Sequence, residues 1–459
     1  MKKLLLLAFA LPSLAFAQPA PDSAAALRDA ALAGDTVAWE ILEGLTTEVG
    51  QRQAGTEAEA RGRAWAVRRL TELGFSNVHV ETFDMPVWVR GEERAEIVSP
   101  FPQQLVVTAL GNSGSSGPRG IEAEVIGFDS VAALRAAPDS AVRGKIVFVT
   151  HNMQPNQDGS GYGPFGAPRR QGPSIASRKG AVGIVVRSIG TDYHRNPHTG
   201  GQDWADGARP IPAGALTIPD AEQLQRILAR AQGPVRMRLT LTPRNIGRRQ
   251  SGNVIAEVPG SDPSAGVIVV GGHLDSWDLG TGAIDNAAGV AITTAAAHRI
   301  MRAGRPRRTI RVVLFGAEEP GVFGGTAYFE RHRGEGNVVL VGESDFGADR
   351  VWRVNYSFGA NNAALADRIT ALLAPLGIVR GGDRANAGAD LSAWANAGTA
   401  AIDLNQDGTR YFDYHHTPDD TLDKVDPTQL RQNVAAWTAM LAAAADAPER
   451  IEAAPPAAR

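Results

Sequence analysis

The chain has no cysteine at any of its 459 positions. A disulfide framework, a lipid-carrying thiol behind a leader and thiolate metal ligands are thereby excluded; stability must come from packing, and any metal must be held by His, Asp and Glu. Charge of one sign is lacking too. The 46 Lys+Arg against 49 Asp+Glu leave a formal net charge of -3, so no long-range field draws nucleic acid or an anionic membrane to the protein. Basic runs such as the one from Arg305 to Arg311 read as a solvated helix end and strand entry. A long apolar run is also missing near the start. Leu4 to Ala17 is too short for a comfortable membrane span, follows Lys2 and Lys3, and ends in Ala-Phe-Ala before Gln18. That is a secretory signal pattern over residues 1–17, which places the mature chain outside the cytoplasm, secreted or periplasmic, with no membrane attachment once the signal is removed.

What remains is the composition of a soluble globular protein, 43% hydrophobic and 21% charged, too long for one ordinary core. Helical patterns run from Ser23 to about Leu45 and from Thr56 to Leu73, and Val78 to Phe83 reads as a strand. Between residues 104 and 245 the texture changes to short strands at Leu105 to Leu110, Ala123 to Phe128, Lys145 to Thr150 and Val182 to Val186, separated by Gly/Pro-rich loops. The longest of these loops is Gln154 to Pro173. This stretch reads as an insertion between residues 18–103 and 246–449, which form one domain; residues 450–459 read as a flexible tail. From Ser251 onward strands at Val254 to Val258, Val267 to His273, Thr309 to Phe315, Val338 to Glu343 and Thr399 to Leu404 alternate with helices at Ala287 to Arg302, Asn362 to Leu376 and Thr428 to Ala445. Such alternation predicts an α/β fold with a mostly parallel sheet covered by helices on both faces.

Several apolar runs stop at ionisable groups: at His273 and Asp275, at Glu318 and Glu319, at Asp345, and before the YHHTPDDT stretch at Tyr414 to Thr421. An open α/β sheet places its site at the carboxyl edge of its strands. Carboxylates crowded at one edge repel, and a divalent cation resolves that conflict. Two imidazoles and three carboxylates suit a pair of zinc ions, which at about 3.5 to 4 Å apart can clamp one hydrolytic water. The expected assignment gives His273 and Glu319 to one ion, Asp345 and His416 to the other, and Asp285 to both. Glu318 is then left free to act as general base, and Asp275 orients the His273 ring.

The motifs HLDSWD, DNAAG, GAEE, ESD and YHHTPDDT together resemble those of the family 28 metallopeptidases, and most closely their plasma glutamate carboxypeptidase (carboxypeptidase Q) branch. The similarity extends into the insertion, where RSIGTDYHRNPHTG and IPAGALTIPDAEQLQRI are similar to that branch's protease-associated domain. The resemblance implies a zinc exopeptidase fold with an inserted β-rich protease-associated domain. It implies His273, Asp285, Glu319, Asp345 and His416 as zinc ligands and Glu318 as the catalytic base. His416 is preferred to His415 because the family pattern follows the ligand with an Asp-Thr pair, here Asp420 and Thr421, which puts Asp420 in a supporting position. Where many relatives carry a Tyr that stabilises the oxyanion, this chain has His415, a possible donor in its place. The branch also implies a homodimer. The expected activity is hydrolysis of dipeptides, or of N-terminal residues of short peptides. A one-zinc glutaminyl cyclase and a non-catalytic receptor-like ectodomain are the rival readings, the latter weakened because every role in the site is filled. His151, His298 and His332 read as surface or satisfied core groups. His194 and His198 read either as loop residues or as facing the cleft, and Arg380 and Arg384 either as solvated or as receiving a substrate carboxylate.

Overall fold

β-Branched runs set between Gly or polar breaks become the innermost strands. Every residue of Val267–His273 is buried, and it lies between Thr309–Phe315 and Val338–Glu343, pairing in parallel with both. Ala400–Gln406 adds a fourth parallel strand beside Val338–Glu343. These coordinates are a computed structural model that describes residues 23–455. The signal-peptide reading of residues 1–17 lies outside the described residues, as do residues 456–459.

The eight-stranded sheet built on this parallel centre is mixed rather than mostly parallel. Arg244–Val258 runs antiparallel to Thr309–Phe315, and Ser76–Val89 antiparallel to Arg244–Val258. On the other side Val351–Tyr356, a strand the hydropathy pattern does not reveal, runs antiparallel to Ala400–Gln406. The link from Glu343 to Val351 is too short for the crossover that a further parallel strand needs, which is why the direction reverses there. On one face the helices Ser23–Gly34, Val37–Gly44, Ala288–Ala303 and Pro427–Ala445 share a core in which Trp437 is fully buried. Alanine over most of Pro427–Ala445 lets its neighbours approach closely, and Asp426 caps its start by accepting from the Thr428 and Gln429 amides. The first expected helix is broken at Asp35, whose carboxylate takes the Ala38 amide at 3.0 Å and restarts the helix there.

A second mixed sheet of eight strands lies between Ser76–Val89 and Arg244–Val258 in the chain. It begins at Glu93–Ser99, ahead of the change in texture at 104, because that strand alternates buried Ala95 and Ile97 with outward polar residues and carries no Gly/Pro signal. Ile121–Phe128, Ile146–Val149, Gly183–Arg187 and Ala213–Leu216 are its parallel members. Helices Ala167–Arg178 and Ile218–Arg230 alternate with them, so the stretch is α/β in character rather than β-rich. The chain leaves and re-enters the first sheet through one long ladder, from Ser76 opposite Glu257 to Val89 opposite Arg244. The expected loose tail is docked as far as Pro455. Asn362 holds both Arg450 and Glu452 by its side-chain amide, Ala453 bridges to Phe358, and Ile451 is buried.

Candidate metal centre

The four parallel strands deliver their carboxyl ends to one edge, and the turns beyond them carry the polar groups. His273 ends its own strand; Glu318 and Glu319 follow Phe315 through Gly316 and Ala317; Asp345 lies two residues beyond Glu343; Asp285 sits in the turn before Ala288–Ala303; His416 follows the short helix Tyr411–Tyr414. Ala317 and His416 hold φ of 58° and 60°, a left-handed backbone that costs about 1–3 kcal/mol at a residue with a side chain and persists where the surroundings impose it.

Five of these side chains meet. Donor atoms of His273, Asp285 and Asp345 lie within 4.8 Å of one another, and so do those of Asp285, Glu319 and His416. Asp285 belongs to both groups, its Oδ1 3.1 Å from His273 Nε2 and its Oδ2 3.1 Å from His416 Nε2. The outer contacts are His273 Nε2 to Asp345 Oδ1 at 3.3 Å and His416 Nε2 to Glu319 Oε2 at 2.9 Å. His273 therefore groups with Asp345 and His416 with Glu319, the reverse of the pairing expected from the chain. The strand of His273 is flanked on one side by the strand leading to Glu319 and on the other by the strand leading to Asp345. Only the direction of the ring decides between them.

That direction is set behind the ring. His273 Nδ1 donates to the Asp275 carbonyl at 3.0 Å, which turns Nε2 toward Asp285 and Asp345. The Asp275 carboxylate meanwhile accepts from the Glu318 amide at 3.0 Å and the Glu319 amide at 3.3 Å. His416 Nδ1 donates to the Thr199 carbonyl at 3.3 Å, a group from the second sheet's segment. Gly200 permits that approach: a Cβ there would lie 2.9 Å from His416 Nδ1 and 1.9 Å from an Arg169 nitrogen. Asp420 accepts from the Ile284 amide at 2.7 Å and steadies the turn that presents Asp285. Beneath that turn Arg52, fully buried, donates to the carbonyls of Leu274, Thr281 and Gly282.

With each ring's Nδ1–H bound to a carbonyl, each Nε2 faces carboxylates, and either a proton or a cation must lie between. Among the described residues, Asp285 Oδ2 and Asp345 Oδ1 are buried and accept no well-formed hydrogen bond despite the nearby imidazoles. A cation among these donors satisfies both observations, and the all-N/O set suits zinc. The charge balance agrees. Burial pushes Glu318 and Glu319 well above the usual carboxylate range, and neighbouring carboxylates push further. Burial, with Asp285 beside it, takes Asp420 to about 8; burial, with Asp345 beside it, takes Glu343 to about 8. For His273, burial is outweighed by Asp345, Asp275 and Asp285, so its ring holds a proton well above the ordinary range. Without a cation, the site retains protons instead.

A third such group among the described residues is His198, His415 and His416; Glu318 belongs to none of the three, and it lines the adjoining cleft of about 710 Å³. His415 lines it too, its ring stacked 3.5 Å from that of His416 and its Nε2 3.5 Å from Asp285 Oδ2. From the second sheet's side come Tyr162, Arg169 and Arg170, which the sequence reading passed over. Two consecutive arginines inside the stretch expected as a long Gly/Pro-rich loop, where the structure has the helix Ala167–Arg178, were the available signal. His198 also arrives here, hydrogen-bonded to His415, whereas His194 binds the Asp413 carbonyl. Arg380 pairs with Asp367 and Arg384 with the carbonyls of Ala454 and Pro455, and neither lines the cleft. His332 is held between Glu81 and Glu335, and His151 sits on the Arg187 carbonyl, pushed down to about 4 by burial.

Known proteins share both sequence and fold with this chain. Residues 253–441 match the model of peptidase family M28. Carboxypeptidase Q of Bos taurus is 33% identical over 90% of this chain and 86% of its own length, and carboxypeptidase Q of Homo sapiens is 33% identical with the same coverage. A peptidase M28 precursor from Shewanella amazonensis superposes with a TM-score of 0.91 at 41% identity, over 94% of this chain and 98% of that one. A zinc aminopeptidase from Bacillus subtilis shares the fold, with a TM-score of 0.63 at 17% identity over 89% of this chain and 97% of its own. With near-complete coverage at this identity and the cluster of His, Asp and Glu at the strand ends, the chain belongs to peptidase family M28 and is, like its carboxypeptidase Q relatives, a metallopeptidase.

Proposed function

We propose that the protein is a secreted or periplasmic di-zinc exopeptidase that hydrolyses dipeptides or removes N-terminal residues from short peptides. The observation that carries this reading is the pair of three-residue donor groups sharing Asp285, with Glu318 unligated beside them. His273, Asp285 and Asp345 would hold one ion and Asp285, Glu319 and His416 the other. Zinc bound there supplies positive charge that acidifies a water and polarises a carbonyl.

The chain's own groups do the rest. Glu318 takes the proton from the attacking water and passes it to the leaving amine, the task of a carboxylate that faces the cleft without serving as ligand. His415, whose ring lines the same cleft, donates to the oxyanion that forms on the substrate carbonyl. Asp275 and Asp420 hold the ligand-bearing turns. Arg169 and Arg170 supply a cationic wall: among the described residues neither pairs with a carboxylate, their guanidinium carbons lie 5.4 and 5.6 Å from the Tyr162 ring centre, and Arg169, 3.5 Å from His416 Nδ1, leaves its Nε without a hydrogen bond. A free carboxylate on a short substrate would complete those unmatched charges, which supports a dipeptide lying between the acidic centre and the arginines. We assign the second sheet the part of a protease-associated domain that walls the cleft.

The test is hydrolysis of a dipeptide panel by purified protein, with zinc per chain measured before and after chelation. Two zinc ions per chain and hydrolysis abolished by the chelator are expected. Peptide hydrolysis indifferent to chelation, one zinc, or release of ammonia from N-terminal Gln in place of peptide cleavage would each overturn the reading.

A further inference from the structure

We propose that His198 is a positioning residue: it donates to His415 and thereby fixes the tautomer in which His415 presents an Nε2–H to the cleft. This rests on the exopeptidase reading and names the group that prepares its oxyanion donor. Both rings are buried, His198 1% exposed and His415 6%, so water does not settle their protons. His198 Nε2 lies 2.9 Å from His415 Nδ1. One of these nitrogens must carry the proton and the other the lone pair.

Two observations choose between the alternatives. The far nitrogen of His415, Nε2, stands 3.5 Å from Asp285 Oδ2, a carboxylate oxygen that also faces His416 Nε2 at 3.1 Å. A lone pair there would face a carboxylate, whereas an N–H is attracted to it; Nε2 is therefore the protonated nitrogen and Nδ1 the acceptor. Independently, among the described residues His198 Nδ1 has no hydrogen-bond partner. If His198 donates through Nε2, that buried atom is a bare acceptor; if it accepted, the atom would be a buried N–H without an acceptor, and orphaned N–H groups are the rarer of the two.

Stacking alone does not achieve this. The ring of His415 is held flat against His416, 21° from parallel, and 4.9 Å from Tyr411, which fixes its plane and leaves its proton free to sit on either nitrogen. The His198 segment is anchored at several points. Its amide donates to Ser188 Oγ at 2.9 Å, Thr199 N donates to the His416 carbonyl at 3.0 Å, and Thr199 Oγ1 donates to the Ala109 carbonyl at 2.8 Å. The His198 stretch thus acts on the reaction through His415 without touching substrate.

Long-range ¹H–¹⁵N imidazole spectra of the full chain, metal-free and zinc-loaded, test this directly, with His415 assigned from a His415→Ala variant. The Nε2–H tautomer of His415 is expected in the parent and in His198→Gln, whose amide can still donate, and its loss in His198→Phe. In peptide hydrolysis His198→Phe should keep two zinc ions and KM within about threefold while kcat falls on the order of 10²-fold, the scale of losing one oxyanion donor, with His198→Gln recovering to within about tenfold of the parent. The double variant His198→Phe/His415→Ala should be no slower than His415→Ala. An Nδ1–H tautomer of His415 in the parent, unchanged kcat in His198→Phe, or independent multiplication of the two effects would overturn the assignment. Should the parent hydrolyse no peptide, the exopeptidase reading falls, while the spectra still decide the role of His198.

Discussion

Replacing Asp285 by Asn should weaken both ions at once, because its two oxygens face two different imidazoles, each at 3.1 Å. Asparagine keeps the shape but offers one neutral carbonyl oxygen and turns an NH₂ toward the other ring. Both ions then lose a negative charge, and one loses a ligand. Substitutions outside the ligand shell already cost about 10–100-fold in metal affinity, so a loss of at least ~10²-fold per ion is expected. A 10²-fold loss is about 2.7 kcal/mol of zinc-dependent stabilisation per ion, hence about 5 kcal/mol for the pair. Denaturant unfolding at buffered free zinc, with and without the metal, reads this as the zinc-dependent increment within each variant, so any change in the metal-free protein cancels. Elemental analysis should find Glu319→Gln and Asp345→Asn each short of one ion. The double variant His273→Ala/Asp345→Asn should also lose one ion, because both residues serve the same group. Two ions held by Asp285→Asn with the parent's zinc dependence, or two ions lost from the His273/Asp345 double variant, would refute the geometry.

Glu318→Gln should retain two zinc ions and lose at least ~10²-fold in kcat; unimpaired turnover would remove it as the base. Arg170→Ala should raise KM by about 10–100-fold for a dipeptide with a free carboxylate, the worth of one charge-assisted hydrogen bond, and leave its C-terminal amide unaffected; equal effects on both would dissociate the arginine from carboxylate recognition. The metal-free protein should lose stability as pH rises. Burial pushes the Asp420 and Glu343 carboxyls up to about 8 in the folded state, above their unfolded values, so the folded state holds the extra protons and stability declines as the pH climbs from about 4 towards about 8. Unfolding free energies measured between pH 6 and 8 should fall accordingly in the metal-free form, and zinc should flatten the trend; a flat metal-free profile would contradict the buried-carboxylate account.

The strand ends were legible because β-branched runs such as Val267–His273 and Thr309–Phe315 are buried throughout or nearly so, and a buried strand stops where polar groups begin. That put His273, Glu318, Glu319 and Asp345 at one edge. The grouping of the ligands was not legible, since it depends on the Asp275 carbonyl holding one nitrogen of His273, a backbone contact invisible to any side-chain pattern. Strand direction was lost for a similar reason. Val351–Tyr356 carries polar Arg353 and Asn355 between apolar residues, and its reversal follows from the length of a loop. Arg169 and Arg170 lie far along the chain from the groups they approach, and so does His198, for which facing the cleft was one of two readings; spacing does not settle such contacts, which arise only when the second sheet is folded against the first.

The ladder from Ser76 to Val89 against Arg244 to Val258 makes the polypeptide divisible. Val89 and Arg244 face each other, so a tight turn between them would close an ordinary hairpin and leave the first sheet's connectivity uncut. A chain shortened in that way would keep all five donor residues and Glu318, and would forfeit Thr199, His198 and both cleft arginines. The donor residues and most of the cleft wall are thereby encoded in separate stretches of sequence, joined where the Thr199 carbonyl holds His416. One stretch can diverge or be exchanged provided that a carbonyl still meets His416 Nδ1.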